Sequence, residues 1–318
     1  MVGNIKYLPE GIPMERIVLD VDTGLDDAVA LLLAAGLEEI VIEAVVATAG
    51  NVGLEKTLEN TLNIMEVTKQ TCPVYRGSSK PLVRTAVEAG DFHGETGLDG
   101  PKFEKRVIQS VQEGSGIDAM IKLVAENPNQ ITIVSVGPLT DVALAMQKDT
   151  RFTSLVKQII IMGGSFSTGN VTEEAEFNTY ADPEAAQIVF SSEAPLVLFS
   201  LDCTRTVTLD AQRLERYKAY KGRCAQVFCS CMDTYSANYK RMNQGWPQMH
   251  DPLCIAYLVD PSKCKTETQR VIVDTKAGPS YGKTTKQACT DCNAVTIAQS
   301  IDIPWFWSLI EKALCQLP

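Results

Sequence analysis

The chain has little of what nucleic-acid and membrane proteins need. Its 318 residues carry a net charge of −10 at pH 7, with 29 Lys and Arg against 39 Asp and Glu. This surplus of acidic groups argues against a nucleic-acid backbone or an anionic membrane as the main partner. No uninterrupted apolar stretch approaches the roughly 18 residues that span a bilayer. Residues 1–14 also lack the apolar run of a secretory signal, so we expect a short N-terminal extension and a cytoplasmic protein.

Cysteine is plentiful but shows almost no pattern. The chain has 10 cysteines, and its one C-x-x-C is CTDC at 289–292. A zinc site would need a second pair at ligand spacing, and CSC at 229–231 is a poor candidate for it. Reduced, free thiols are therefore favoured over a zinc site.

Apolar runs alternate with helical patterns along the chain. RIVLDVD is followed by LDDAVALLLAAG, IVIEAVVATAGN by LEKTLENTLNIMEVTKQ, and ITIVSVG by LTDVALAMQK. Several of the runs are almost wholly apolar, which is typical of parallel strands that are covered on both faces. The alternation predicts an α/β fold with a mainly parallel β-sheet flanked by helices. Because no Pro-, Gly- or Ser-rich linker divides the chain, we predict one domain over residues 15–318.

Four aspartates stand where the first apolar run meets the first helical pattern. Asp20 and Asp22 end the run, and Asp26 and Asp27 begin the helix. The last two could simply favour the positive end of the helix dipole, but that leaves Asp22 unexplained. Carboxylates this close repel one another, and a hard cation with oxygen ligands would relieve the repulsion. We therefore predict a Ca²⁺ or Mg²⁺ site here.

Later loops add further polar residues. In open α/β sheets, ligands bind beyond the carboxyl ends of the strands. The segment GNVTEEAEFNTYADPEAA (169–186) sets Asn170, Glu176 and Asn178 before a helix, where they could hydrogen-bond vicinal hydroxyls. The two histidines, His93 and His250, lie in loops rich in Gly, Pro and Asp, which favours a functional role over burial in the core.

Five separated motifs together resemble the nucleoside hydrolases of the inosine–uridine-preferring family. In chain order they are DVDTGLDDAVALLLA, ATAGN, VGPLTDVALA, MGGSF…GNVTEEAEFNTYADPEAA and HDPL. The resemblance runs from about residue 16 to the C-terminus. It implies hydrolysis of the N-glycosidic bond of purine or pyrimidine ribonucleosides to free base and ribose, in nucleoside salvage or catabolism. It also implies a bound Ca²⁺ and assembly as a homodimer or homotetramer.

The resemblance assigns a role to each matched residue. Asp22, Asp27 and Asp251 match the carboxylate ligands of the Ca²⁺. Val136 matches a position that gives a backbone carbonyl; Thr is usual there, but a carbonyl ligand should tolerate Val. The residues that match the grip on the ribose hydroxyls are Asp26, Asn51, Asn170, Glu176 and Asn178.

Two of the matched residues are expected to carry the chemistry. Cleavage passes through an oxocarbenium-like state that carboxylate and amide oxygens stabilise. Asp22, beside the water that a metal would activate, is the predicted general base. His250 matches the family's candidate acid for the departing base. It also favours the broad or pyrimidine-tolerant branch, because purine-specific members rely on tryptophans and typically lack this histidine.

The base-binding end is less clearly marked. His93 matches a residue near that end, and segment 231–250 offers aromatic side chains that could stack on a base or close as a lid. The base-side candidates are His93, Phe177, Tyr235, Tyr239 and Trp246. Packing of the two tyrosines against the core on a helix is an equally good interpretation.

Two alternative functions compete with the hydrolase. IVLDVDTGL nearly matches the first motif of haloacid dehalogenase-type phosphatases, with Asp20 as nucleophile. That fold also needs a Lys and a later acidic pair, and LFSLDCTRT supplies only Asp202. A non-catalytic nucleoside sensor on the same fold would usually lack some of the metal or ribose ligands, and here they are all present.

Overall fold

The computed structural model describes residues 14–288 and 294–318, and a ten-stranded β-sheet runs through it. The strands are β1 Glu15–Val21, β2 Ile40–Ala47, β3 Val74–Arg76, β4 Val111–Ser115, β5 Ile131–Ser135, β6 Gln158–Met162, β7 Leu196–Phe199, β8 Cys264–Val273, β9 Thr284–Gln287 and β10 Val295–Ile301. Their order is β4-β3-β2-β1-β5-β6-β7-β10-β8-β9. The pairs from β4 to β10 are parallel, and β8 pairs antiparallel with β10 and β9. This confirms the predicted α/β fold with a mainly parallel sheet.

Helices cover both faces of the sheet. They are α1 Leu25–Ala35, α2 Leu54–Val67, α3 Gly90–His93, α4 Gly116–Glu126, α5 Thr140–Lys148, α6 Phe152–Leu155, α7 Phe177–Ala181, α8 Pro183–Phe190, α9 Leu201–Thr204, α10 Ala211–Lys218, α11 Arg223–Arg241, α12 Pro252–Val259 and α13 Ile303–Gln316, with a 3₁₀ turn at Pro261–Lys263. In the described ranges, no helix has both the length and the apolar character needed to cross a membrane.

Two predictions, on the N-terminal extension and on the cysteines, fall partly on residues outside those that the structure describes. Of the predicted extension over residues 1–14, all but Met14 lies outside the described residues, as do Cys289 and Cys292 of the CTDC segment. The cysteines that the structure describes carry free thiols, as predicted. They are Cys72, Cys203, Cys224, Cys229, Cys231, Cys254, Cys264 and Cys315.

β1 is central because its side chains are apolar on both faces. Ile17, Leu19 and Val21 pack into one hydrophobic core, and Val18 packs into the second core across the sheet. α1 follows after a three-residue turn and is buried almost all round, in contact with α11, α12 and α13. A helix that is apolar on every side belongs in the interior. The first turn of α1 is thereby fixed beside the carboxyl end of β1.

Asp20 lies beneath the sheet edge in a pair with Asp141. Its Oδ2 accepts a hydrogen bond of 2.7 Å from the Ser135 hydroxyl, while its Oδ1 and Asp141 Oδ2 are buried without a donor. Burial raises the pKa of Asp20 well above its usual range and the charge of Asp141 adds to the rise, so we expect the two carboxyl groups to share a proton. Burial raises the pKa of Asp141 to about 6, against the lowering effect of its hydrogen bonds with Ser78. The Asp20 side chain is therefore fully buried and bound to its neighbours in the protein interior.

Asp141→Asn is expected to stabilise the protein more at pH 8 than at pH 5. The unfolded carboxyl titrates near 3.8, so between that value and about 6 the folded state keeps a proton that the unfolded state has lost, and stability falls as pH rises. Asparagine removes this cost, and its NH₂ can donate to Asp20. Urea unfolding should show a gain of about 1–3 kcal/mol at pH 8. An equal difference at both pH values, or a loss at pH 8, would contradict the shared proton.

Candidate functional site

A cavity of about 540 Å³ opens at the carboxyl ends of the central strands. Each of these strands contributes a residue at or just beyond its end. The contributions are Asp22 after β1, Asn51 after β2, Val136 after β5, Met162 at the end of β6 and Leu201 after β7. Ligand sites of open α/β sheets are expected at this edge.

Three carboxylates cluster at this cavity, and two of them, Asp26 and Asp251, line it. One oxygen each from Asp26, Asp27 and Asp251 lie within 4.8 Å of one another, and all three side chains are buried. Asp26 and Asp27 come from the first turn of α1, and Asp251 is the N-cap of α12. Two helix N-termini thus place negative groups at one point. Asp26 belongs to this carboxylate cluster, whereas the resemblance matched it to a residue that binds the ribose hydroxyls.

Asp22 lies beside the three carboxylates. Its backbone N–H donates to Asp27 Oδ1 over 3.1 Å, and its own Oδ2 accepts from the backbone N–H of Asn51 over 2.7 Å. The Asn51 side chain also donates to Asp27 Oδ2 over 3.1 Å. A Cβ added to Gly50 would stand 2.1 Å from Asp22 Oδ2, so glycine is needed for this close approach. The Asp22 carboxylate is held rigidly.

The pKa values of these four carboxyl groups are all raised. Burial is the largest cause in each case, and repulsion by neighbouring carboxylates adds to it for Asp22, Asp26 and Asp251. The pKa of Asp26 reaches about 8. No salt bridge within the described ranges brings a Lys or Arg to any of the four. Buried carboxylates without a cation of their own form an all-oxygen donor set that fits a hard divalent cation.

The predicted carbonyl ligand and its neighbour lie beside this donor set. The Val136 carbonyl accepts a 2.7 Å hydrogen bond from Asn178 Nδ2, which also donates to the Met162 carbonyl over 3.1 Å. A carbonyl oxygen has a second lone pair, so Val136 can still serve as a ligand. Both donors of the Asn178 amide are used, and its Oδ1 is the atom available for a substrate.

Glu176 and Asn170 hold the loop that closes one side of the cavity. Glu176 caps α7: its Oε1 accepts from the Asn178 N–H over 2.8 Å, and its Oε2 accepts from the Gly164 N–H over 2.8 Å. Burial nevertheless raises the pKa of Glu176. Asn170 Oδ1 accepts from the Phe177 N–H over 2.8 Å. All three predicted ribose residues of this loop line the cavity, and each is anchored by backbone contacts.

Both histidines line the cavity, and both are neutral at pH 7. Burial lowers the pKa of His250 to about 3, helped by the nearby positive charge of Arg205. Its Nδ1 is 2.7 Å from the Thr204 hydroxyl. Burial lowers the pKa of His93 to about 4, and its Nδ1 accepts from the Leu25 N–H over 3.1 Å. His93 therefore also fixes the start of α1.

An aromatic wall faces the carboxylates. Tyr235 and Tyr239, one turn apart on α11, have ring centroids 4.9 Å apart in an edge-to-face arrangement. His93 lies 5.9 Å from Tyr235, and Phe92 lies 6.1 Å from Tyr239. Phe177 lines the same cavity. Both tyrosines are buried in the hydrophobic core and also line the cavity. Packing in the core and contact with a base are therefore compatible roles for them.

Trp246, the remaining base-side candidate, is not brought into the cavity. It is 42% exposed and lines a separate pocket with Asp233 and Lys240. α11 ends at Arg241, and the chain then turns through a positive φ of 82° at Gly245. This turn directs the Trp246 side chain away from the wall that Tyr239 completes, which corrects its predicted position.

Sequence reasoning missed several residues of the site. Phe92 and Glu88 precede or join α3, and Gln244 and Gln248 lie between α11 and His250. They stand in irregular segments with no periodicity to mark them. Arg205 belongs to LFSLDCTRT, a segment whose Asp202 alone drew attention as a phosphatase feature. Asp20, the nucleophile of that alternative, lies outside the cavity, so the phosphatase interpretation is wrong.

Comparison of the sequence with known proteins finds matches over nearly the whole chain. Residues 17–308 match a family described as inosine-uridine preferring nucleoside hydrolase. A relative from Escherichia coli strain SE11, a pyrimidine-specific ribonucleoside hydrolase named RihB, is 36% identical over 306 residues. The matched region covers 94% of this chain and 96% of that protein.

Solved structures show the same similarity in three dimensions. A purine-preferring ribonucleoside hydrolase from Gardnerella vaginalis superposes with a TM-score of 0.88 at 27% identity, covering 94% of this chain and 98% of that one. A plant nucleoside hydrolase, the PpNRh1 enzyme, superposes with a TM-score of 0.87 at 29% identity, covering 95% and 99%.

Proposed function

Because this chain belongs to the inosine-uridine preferring nucleoside hydrolase family, whose members hydrolyse the N-glycosidic bond of ribonucleosides, we propose that it acts on pyrimidine ribonucleosides with the help of a bound Ca²⁺. The observation that carries the proposal is one cavity that joins a buried carboxylate cluster to His250. The first part suits a cation and a ribose, and the second suits a departing base.

The proposed Ca²⁺ would be held by oxygen atoms alone. Its ligands would be the carboxylates of Asp22, Asp27 and Asp251 and the carbonyl of Val136, and Asp26 lies close enough to Asp27 and Asp251 to assist. Carboxylate and carbonyl oxygens favour Ca²⁺ or Mg²⁺ over softer metals. When bound, such an ion lowers the pKa of a coordinated water and orients the ribose hydroxyls.

The chain's own residues would supply the base and the grip on the ribose. Asp22 faces the cavity with its carboxylate fixed by the Asn51 N–H, so it can accept the proton of the attacking water. The side chains proposed to hold the ribose hydroxyls are Asp26, Asn51, Asn170, Glu176 and Asn178. These oxygens would also stabilise the positive charge that develops on the sugar.

The aromatic wall and His250 would receive the base. His250 is neutral, so we propose that it stabilises the departing base by donating a hydrogen bond from Nε2, with Nδ1 held by Thr204; the anion of the base then takes its proton from solvent. The rings of Tyr235 and Tyr239 are placed to pack against a planar base, together with Phe92 and Phe177.

Two observations favour pyrimidines over purines. The relative named as pyrimidine-specific is 36% identical, above the 27% of the purine-preferring structure. His250 is retained in the cavity, and within the described lining no tryptophan is present to activate a purine. A role in nucleoside catabolism follows from the family. The predicted homodimer or homotetramer, the cytoplasmic location and the domain bounds of 15–318 stay predictions.

The substrate proposal is tested by measuring kcat/KM for uridine, cytidine, inosine, adenosine and guanosine in buffer that contains Ca²⁺. We expect uridine and cytidine to exceed each purine nucleoside by about 10-fold or more, a range that pocket contacts alone can provide. Inosine or adenosine at or above the rate of uridine would contradict the pyrimidine preference and leave the hydrolase itself intact.

A further inference from the structure

One helical turn after β7 contacts both His250 and the loop that carries Asn170. α9 begins where β7 ends, and its last residue, Thr204, is fully buried. The Thr204 hydroxyl lies 2.7 Å from Nδ1 of His250, although 46 residues separate the two in sequence. The imidazole at the base end is therefore held by a side chain that does not line the cavity itself.

The next residue in the chain, Arg205, holds the loop that carries Asn170. Arg205 Nη1 donates to the Thr168 carbonyl over 2.7 Å, and Nη2 donates to the Gly169 carbonyl over 2.7 Å. These carbonyls directly precede Asn170, one of the proposed ribose residues. Asp202 fixes the start of the same loop, because its Oδ2 accepts from the Phe166 N–H over 2.8 Å. Three side chains of one turn thus hold the loop and the histidine.

We propose that Thr204 and Arg205 are positioning residues: Thr204 sets the ring orientation and tautomer of His250, and Arg205 sets the loop that presents Asn170 to the ribose. This inference rests on the proposed function. It gives the segment LDCTRT, which otherwise has no role in the reaction, the task of keeping the base end and the ribose end in fixed relation.

The proposed role of the Thr204 contact is to favour one tautomer of His250. A hydroxyl can donate to Nδ1 or accept from it; in the proposed arrangement it donates, so the ring hydrogen lies on Nε2, which would then face the base. A ring free to rotate or to exchange tautomers would present an acceptor to the base for part of the time. Loss of the hydroxyl should therefore slow departure of poor leaving groups and leave substrate binding nearly unchanged.

The test compares uridine with p-nitrophenyl β-D-riboside, whose leaving group needs no protonation. Thr204→Val should lower kcat on uridine about 10-fold or more, with KM little changed and with less than about 3-fold loss on the nitrophenyl riboside. Thr204→Ser keeps the hydroxyl and should restore uridine turnover. Thr206→Val, the same change at an exposed residue two positions away, serves as the matched control.

Arg205→Gln should raise KM on both substrates, whereas Thr204→Val should lower kcat on uridine alone. Both substrates carry the same ribose, so KM should rise about 10-fold on each, because a displaced loop weakens ribose binding whatever the leaving group. Arg151→Gln is the control, since among the described residues its guanidinium pairs only with the neighbouring Asp149. Far-UV circular dichroism of each variant establishes that it is folded.

These measurements distinguish failure of the two positioning roles from failure of the proposed hydrolase function. Equal losses on both substrates in Thr204→Val, or no rescue by Ser, would overturn the role of Thr204. An unchanged KM in Arg205→Gln would overturn the role of Arg205. If the wild-type enzyme cleaves neither substrate, the proposed function fails instead, and titration of wild type and Arg205→Gln with D-ribose then decides the positioning of the loop.

Discussion

Asp22→Asn is expected to lower kcat on uridine by about 10³-fold or more, because the amide cannot accept the proton of the attacking water and removes one charge from the carboxylate cluster. Asparagine can still accept the N–H of Asn51 through Oδ1, and repulsion from Asp27 is relieved. The variant should therefore fold with at least the stability of the wild type. Single-turnover measurement with excess enzyme would detect the residual rate.

Asp20→Asn is the matched control for this variant. The substitution is the same and the position is two residues earlier, but Asp20 lies outside the cavity and contacts Ser135 and Asp141. An asparagine can accept from Ser135 and donate to Asp141, so turnover within about 3-fold of the wild type is expected. If Asp20→Asn were inactive and Asp22→Asn active, the assignment of the general base would be wrong.

His250→Ala is expected to reduce kcat on uridine by about 10²-fold while reducing that on p-nitrophenyl β-D-riboside by less than about 5-fold. A uracil anion is a poor leaving group and needs a hydrogen-bond donor, whereas nitrophenolate leaves without one. The comparison is internal to one variant, so incomplete folding would lower both rates together and can be recognised as such.

In a variant whose far-UV circular dichroism matches that of the wild type, equal losses on the two substrates would remove His250 as the leaving-group donor. In that case its contact with Thr204 would serve only to pack the base end of the cavity. The nearby tyrosines, whose pKa values burial raises to about 12 for Tyr239 and well above 10 for Tyr235, would then be the remaining hydroxyl donors beside the base.

The fold and most of the site could be predicted because their signals are local. A strand such as β1 is apolar along its whole length, and the order of strands and helices indicates the sheet edge at which Asp22, Asn51 and Val136 meet. The resemblance supplied the roles of residues in HDPL and in the ribose loop. These features depend on spacing within short segments, which a single sequence displays.

What the sequence did not reveal depends on contacts between distant segments. Thr204 meets His250 across 46 residues, and Arg205 meets Thr168 across 37. Trp246 looked as suitable as Tyr239 because composition does not show which way the chain turns after a helix ends. The sequence also did not show that Asp26 belongs to the carboxylate cluster. The first turn of α1 holds Asp26 beside Asp251, which is distant in the sequence.

The central claim is that the carboxylate cavity, loaded with a divalent cation, hydrolyses the bond between ribose and base. Its most direct test is proton NMR of uridine incubated with the enzyme after dialysis against a chelator, before and after Ca²⁺ is restored. The account predicts equal amounts of uracil and free ribose with Ca²⁺, and a rate at least about 10²-fold lower without it. Neither product from uridine or from any other ribonucleoside would contradict the account, as would full turnover by an enzyme shown to hold no metal.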